Sequence, residues 1–266
     1  RRSITVNRLR YQLKEQLTQL LSGLANAGPL LALSLGESNE LSPSQWQLFS
    51  STGTNHLFVI SGLHIGLIAS ICYWLGNKFL RLFPSLILRM PAQKLASALA
   101  ILAALGYSLL AGFGLPTQRA FVMVALFMLG YISNPPGSVS LRFIIAMAVV
   151  LSLNPLAALN AGFWLSFLAV AGLCLCLQQR DPDAGEGLPA QPPLAGGLAI
   201  VSSFFRQTLM PGFLKPQWVV FIALSLPLIY WTNQLSMIAP LINSIAIPVV
   251  GLIVVPLCLL ALLFLN

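Results

Sequence analysis

Apolar residues fall in long runs along this chain, and polar residues collect in the gaps between them. A helix of about 20 apolar residues crosses a hydrocarbon core of about 30 Å. The first such run extends from about Asn55 to Leu75, the second from about Leu95 to Ala111, and the third from Pro116 to about Ile132. A fourth covers Leu141 to Leu153, short unless it continues towards Leu159, and a fifth covers Phe163 to Leu177. The sixth spans Trp218 to Leu235. The seventh begins near Ile238 and is interrupted by Pro240, Pro248, Gly251 and Pro256. The pattern predicts an all-α fold, a polytopic transmembrane helix bundle with about seven spans, accompanied by interfacial amphipathic helices.

Ahead of the runs, Leu9, Leu13, Leu17, Leu20 and Leu24 recur at helical spacing, with Arg10, Lys14, Glu15 and Gln16 between them. Such a stripe suits a helix lying on the membrane or on the bundle. Leu30 to Leu35 ends at Gly36, and Glu37-Ser38-Asn39-Glu40 forms a polar break. Ser42-Pro43 then reads as N-cap and first helical position, and the helix it opens places Trp46 and Phe49 at an interface. Asp181–Pro193, rich in Pro, Gly and acid, reads as an exposed loop, and Leu198–Leu209 as an interfacial helix. Two parts are expected: an amphipathic lead-in over 1–50 and a transmembrane part over 51–266. The chain opens on Arg1 and closes inside an apolar run, which reads as a piece cut from a longer protein at both ends.

Composition supports the membrane reading. Hydrophobic residues make up 57% of the chain and charged residues 8%, with a mean hydropathy of +0.86. A water-soluble domain carries about 25% charged residues. The net charge is +8. Lys78, Arg81, Arg89 and Lys94 follow the first run with no acid among them, which marks that loop as cytoplasmic. The amino-terminal segment would then lie outside, where topology does not account for Arg1, Arg2, Arg8, Arg10 and Lys14. A polyanion arriving from outside would. Cys72, Cys174, Cys176 and Cys258 all sit in apolar segments without zinc-ribbon or CxxC spacing, as small buried hydrophobes do. No Walker motif is present, so any ATP-driven motor would be a separate protein.

The segment from Thr52 to Gly66 holds both histidines of the chain, His56 and His64. Polar groups within a span are costly and face the bundle interior or a wet cavity, so His56, Ser61 and His64 should point inward. Gly62 and Gly66 form a GxxxG pair that would let another backbone approach. Ser61 and His64, three apart, share a helix face. That spacing keeps an intramembrane serine hydrolase open, although no group to orient the imidazole or hold an oxyanion is evident. Zinc needs three or four ligands, and only Glu37 and Glu40 lie near in sequence, so no metal or other cofactor is expected.

The stretch His56-Leu57-Phe58-Val59-Ile60-Ser61-Gly62-Leu63-His64-Ile65-Gly66 resembles the signature of the ComEC competence proteins, the inner-membrane DNA-uptake channels of natural transformation. Arg119-Ala120-Phe121-Val122-Met123, the run Gly162 to Gly172 and Asn243-Ser244-Ile245-Ala246-Ile247-Pro248 are similar to further motifs of that family in the expected order. The resemblance implies a multi-pass protein of the bacterial inner membrane, without enzymatic activity in this part, that passes one DNA strand inward. Its partners would be single-stranded DNA, membrane lipid, an outer DNA receptor, and a cytoplasmic ATPase motor or single-strand-binding proteins. The family usually adds an OB-fold domain and a metallo-β-lactamase-like domain. Neither falls within these residues, and two histidines could not supply the latter's metal cluster.

A DNA strand needs a wet, cationic path across the bilayer. On this reading Arg8, Arg10 and Lys14 gather the strand at the outer mouth. Asn55, His56, Ser61, Gly62, His64, Arg119 and Asn243 line the conduit, with a helix amino terminus adding positive potential at Arg119. Gly62, Gly66 and Pro248 set the helix packing. Pro248 would free backbone groups that need protein or a watery cavity to satisfy them, and Asn243 could be one partner. Phe113, Phe163 and Trp164 are candidates for stacking on bases. A small-solute or ion transporter is the alternative, but it usually needs an intramembrane acid, and the six acids all fall in polar breaks or loops.

Overall fold

The computed structural model describes residues 2–24, 26–83, 91–133, 139–178 and 214–264. Helices account for nearly all of them, and no strand occurs among the described residues. The lead-in comprises α1 (Arg2–Leu20), α2 (Ala27–Leu35) and α3 (Pro43–Ser51). The bundle comprises α4 (Gly62–Leu80), α5 (Ala92–Leu110), α6 (Leu115–Ser133), α7 (Val139–Leu153), α8 (Ala161–Gln178) and α9 (Leu214–Thr232). It closes with α10 (Ala239–Pro248), a π-helical stretch (Val249–Val254) and α11 (Val255–Leu263). The expected loop Asp181–Pro193 and interfacial helix Leu198–Leu209 lie outside the described residues.

Local chemistry sets several boundaries. Ser42 Oγ accepts from the Gln45 backbone N–H at 3.2 Å, and Gln45 Oε1 accepts from the Ser42 N–H at 3.0 Å. This reciprocal cap, with Pro43 at the first helical position, starts α3 as read from the sequence. The first expected span begins later than its apolar run. Asn55–Leu57 is a short 3-10 turn, Ser61 is extended at φ −102°, ψ 165°, and α4 opens at Gly62. His56 therefore precedes the helix and is exposed.

Small residues hold α4 to α5, the most extensive helix pair. Ala92, Ala96, Ala100 and Ala104 recur at every fourth position and are buried. They give α5 a flat face, and a β-carbon at Gly76 of α4 would stand 3.2 Å from Leu99 and 3.7 Å from Ala96. Van der Waals packing of small residues is what drives helices together where lipid removes the hydrophobic incentive. The GxxxG expectation is corrected here. A β-carbon at Gly62 would only touch Ala120, at 3.4 Å, and one at Gly66 would meet nothing within 4 Å.

Among the described residues two helices are long and apolar enough to cross a membrane, Ala92–Leu110 and the composite Ala239–Leu262. The expected count of about seven is not confirmed by that measure. The segments Leu115–Gly130, Ser140–Leu153, Ala161–Cys174 and Gln217–Thr232 are apolar but shorter. The composite helix is not broken at Pro248, as the sequence suggested. Proline removes one backbone donor, and the turn widens to the π form over Val249–Val254 instead of unwinding. Gly251 lies against Leu63 and Leu67, while Leu259 and Leu262 pack with Leu17, Leu31, Leu35 and Leu110. The helix thus lies across the amino-terminal end of α4 and finishes against α2.

Polarity is distributed as in a membrane protein. Leu226 and Tyr230 are 77% and 79% exposed, and Leu102, Ile222 and Ile245 also face outward. Inside lie Ser70, Ser97, Ser108, Thr117, His64, Arg119 and Asn243. An apolar exterior of this extent belongs against hydrocarbon, not water, and membrane association follows. Ser70, Ser97 and Ser108 satisfy themselves within their own helices, donating to Gly66 O, Gln93 O and Ala104 O at 2.6–2.8 Å.

Candidate functional site

At one end of the bundle α6 touches the first turns of α4 and α8, and α10 meets the loop that precedes α4. Gly62 faces Ala120 of α6, and the Arg119 side chain reaches Gly162 in the first turn of α8. At α10, Asn243 Nδ2 donates to Gly53 O at 3.4 Å, and Ser236 Oγ donates to Ser51 O at 2.7 Å. Gly53 has φ +69°, and a β-carbon there would stand 2.5 Å from that of Ala239. Only glycine fits both constraints. Each helix amino terminus carries partial positive charge, so the potential at this end favours an anion.

The polar groups gathered here differ from the self-satisfied serines. His64 is fully buried, and its Nδ1 accepts the Ser61 backbone N–H at 3.4 Å. A neutral imidazole accepting at Nδ1 carries its proton on Nε2. That Nε2 donor has no partner, and neither do Ser61 Oγ, Arg119 Nε and Asn243 Oδ1. Arg119 is 6% exposed and Asn243 8%. Burying such groups unpaired costs about 1–3 kcal/mol each, more for a charge. His64, Arg119 and Asn243 are covered in the described arrangement. Ser61, His64, Arg119 and Asn243 each keep a buried polar atom unpaired, as do Arg10 at Nε and Asn77 at Oδ1 elsewhere.

Other predicted residues are placed differently. Asn55 Oδ1 accepts the His56 N–H at 2.9 Å, so the pair forms a local turn outside the buried edge. Asn243 serves Gly53, not a carbonyl freed by Pro248. Arg8 is exposed, but Arg10 and Lys14 are not free cations. Arg10 Nη2 pairs with Glu37 Oε1 at 2.7 Å and bonds Leu35 O at 3.2 Å. Lys14 Nζ pairs with Glu37 Oε2 at 3.2 Å and Glu40 Oε1 at 3.1 Å. Hydrogen bonds to Glu40 and then Glu37 raise the Lys14 pKa. Of the aromatic candidates, Phe163 is buried against Phe167 and Trp164. Trp164 spends its indole N–H on Ala158 O at 2.8 Å.

Sequence reasoning missed Asn160, Gly53 and the stacked rings of Phe49 and Phe58, whose centroids lie 3.8 Å apart. Asn160 Oδ1 caps α8 by accepting the Gly162 N–H at 2.8 Å. An Asn directly before an apolar run was the available signal. The hydrolase arrangement is not formed, since Ser61 offers His64 its backbone and leaves its hydroxyl unpaired. No group of three potential metal ligands occurs among the described residues.

Comparison with known proteins places the chain. Residues 33–266 match the model of the Competence protein family, and the chain belongs to that family. It is similar to "Competence protein ComA" of Neisseria gonorrhoeae, 36% identical over 88% of this chain and 30% of that protein. It is also similar to "Recombination protein 2" of Haemophilus influenzae (strain ATCC 51907 / DSM 11121 / KW20 / Rd), 32% identical over 96% of this chain and 31% of that protein. "Uncharacterized protein YcaI" of Escherichia coli (strain K12) is 30% identical over 87% of this chain and 28% of that protein. The chain thus spans about a third of the length of these relatives. No solved structure matches it.

Proposed function

We propose that this chain is the membrane part of a DNA-uptake protein and carries single-stranded DNA across the bacterial inner membrane during natural transformation. The observation that carries the proposal is the buried polar edge. Ser61 Oγ, His64 Nε2, Arg119 Nε and Asn243 Oδ1 all lack partners, although the outside of the same bundle is apolar. Groups so placed are satisfied when α4, α6, α8 and α10 separate enough to admit water and a strand. The described arrangement is the closed form of the conduit. Asn55, His56, Gly62 and the exposed Arg8 stand at its mouth, with Arg10 and Lys14 behind them on α1. Membership of the Competence protein family supports DNA as the cargo.

Topology follows from charge. The buried edge and the lead-in occupy one end of the bundle. Lys78, Arg81 and Lys94 belong to the other, where α4 ends and α5 begins. The positive-inside bias puts that second end in the cytoplasm, with the shorter apolar helices completing a multi-pass domain. An outer DNA receptor would deliver the strand, and a cytoplasmic ATPase or single-strand-binding proteins would draw it in.

The test is transformation frequency in cells whose protein level and membrane insertion are verified. His64→Ala and Arg119→Ala should each lower it roughly 10- to 100-fold, the worth of a lost charge-assisted or buried hydrogen bond. Unchanged frequencies in both variants would refute the conduit. The transporter reading predicts sensitivity to an ion gradient without DNA. A hydrolase would be labelled at Ser61 by a serine-reactive phosphonate, and no such labelling is expected.

A further inference from the structure

Arg119 presents a problem that the conduit alone does not solve. Its side chain is almost fully buried, yet no carboxylate pairs with it among the described residues. The ion pairs there all belong to Arg10 and Lys14. A buried guanidinium without a counter-charge is among the costliest arrangements a fold can carry. It lies against the first turn of α8, an 18-residue helix. A β-carbon at Gly162 would stand 3.1 Å from Arg119 Nη2 and 3.2 Å from Asn160 Oδ1, so the absence of a side chain there opens the cradle. Asn160 takes the Gly162 N–H with its side chain and the Phe163 N–H with its carbonyl, at 2.8 and 2.9 Å. The helix therefore contributes its potential, and the guanidinium contributes the donors.

We propose that Arg119 and the amino terminus of α8 form a binding site for one phosphodiester group of the passing strand. The inference rests on the conduit reading above and deepens it by naming the group recognised. A guanidinium offers a planar fork that matches two phosphate oxygens, which a lysine cannot reproduce. With the Gly162 and Phe163 N–H groups taken by Asn160, the helix amino terminus adds favourable potential for the anion and not donors. Recognition of phosphate alone is indifferent to base, as passage of arbitrary DNA demands. One buried site holds the strand briefly without trapping it, since successive phosphates compete for the same fork.

The full chain in phosphatidylcholine nanodiscs would be titrated with fluorescent oligothymidylate at several salt concentrations. Arg119→Gln should weaken binding roughly tenfold. It should also reduce the slope of log affinity against log salt by about 0.7, the value for one phosphate contact on a single strand. Arg119→Lys should recover the slope but not the affinity. Gly162→Ala, which fills the cradle and leaves the charge, should weaken binding with thermal stability unchanged. Lys78→Gln, the same charge loss at the far end of α4, should leave both quantities near wild type. An abasic strand should behave like oligothymidylate, and a peptide nucleic acid should show no dependence on Arg119.

Thermal unfolding separates binding from architecture, because removing an unpaired buried charge should leave Arg119→Gln at least as stable as wild type. DNA binding by wild type with an unchanged salt slope in Arg119→Gln would overturn the phosphate site and leave the conduit standing. Failure of the wild-type chain to bind any strand would overturn the conduit. If Arg119→Gln altered only the response to phosphatidylglycerol, the fork would belong to a lipid headgroup and the site proposed here would be wrong.

Discussion

Arg10 and Arg119 are the same side chain, each set against a glycine, and only Arg10 is paired with an acid among the described residues. Each guanidinium is pressed onto a glycine. A β-carbon at Gly112 would stand 2.7 Å from Arg10 Nη1, and one at Gly162 3.1 Å from Arg119 Nη2. Around Arg10 the charge is answered by Glu37 and the Leu35 carbonyl, and Lys14 joins through Glu37 and Glu40. The result is a clamp that ties α1 to the end of α2 and to the turn after α5. Around Arg119 nothing answers. Burial and a glycine cradle therefore do not distinguish a structural arginine from one kept for a ligand. The acid is what differs between these two.

The sharpest way to break this contrast is to remove the acid from one and the charge from the other. Glu37→Gln should destabilise the chain by about 2 kcal/mol, because it leaves Arg10 and Lys14 facing a neutral amide. The figure is set below the 3–5 kcal/mol for a fully buried pair, as the Arg10 and Glu37 side chains keep 27% and 18% exposure. Arg119→Met should instead leave stability unchanged or raised, since a buried unpaired charge becomes a flexible apolar chain. Thermal unfolding in detergent measures both. Destabilisation of similar size in the two variants would mean that Arg119 is as structural as Arg10.

The glycines beneath the two arginines sharpen the comparison further. Gly112 has φ +82° as well as the close guanidinium, so Gly112→Ala meets backbone strain and a clash together and should cost about 1–3 kcal/mol. Gly162 carries no such backbone constraint, and the guanidinium above it is the free end of a side chain. Gly162→Ala should change stability by less than about 0.5 kcal/mol while impairing DNA binding. Gly66 is the reference. With nothing within 4 Å of its missing β-carbon, Gly66→Ala should stabilise α4 by about 0.5–1 kcal/mol. A loss there would show that a partner packs on that face.

How much of this was legible in the chain depends on the distance over which the physics acts. Helix ends set by near neighbours were readable, as at Ser42-Pro43, where the cap lies within three residues. The second span was placed within a few residues of α5, because lipid demands a continuous apolar run. Readings failed where a partner lies far along the chain. Glu37 reads locally as part of a polar break, and a partner 27 residues away at Arg10 leaves no local signature. His56 was assigned to a span because the residues after it are apolar. Ser61-x-x-His64 repeats the spacing of Ser42-x-x-Gln45, and that local pattern was the sign that the helix starts at Gly62. GxxxG at Gly62 and Gly66 drew attention from the alanine ladder of α5, whose period of four does the packing.

The smallest effect concerns pH, and it probes the paired side of the comparison alone. Hydrogen bonds that Lys14 donates to Glu40 and Glu37 raise its pKa above 10.5. A lysine whose folded pKa exceeds its unfolded one contributes stability that is complete below the unfolded value and lost as pH climbs through the folded one. Attachment of α1 should therefore be flat across the neutral range and loosen only above about pH 10.5. Arg10 also ties α1 to Glu37 and the Leu35 carbonyl, so the loosening should be partial. A nitroxide at Gln19→Cys, in a chain whose native cysteines are replaced by alanine, reports the motion of α1. Its mobility should stay constant from pH 6 to pH 9 and rise at strongly alkaline pH, and Lys14→Gln should abolish the rise by loosening α1 at every pH. Mobilisation between pH 7 and pH 9 in the wild-type background would show that a group other than Lys14 fastens the helix, and the clamp would then need a different chemistry.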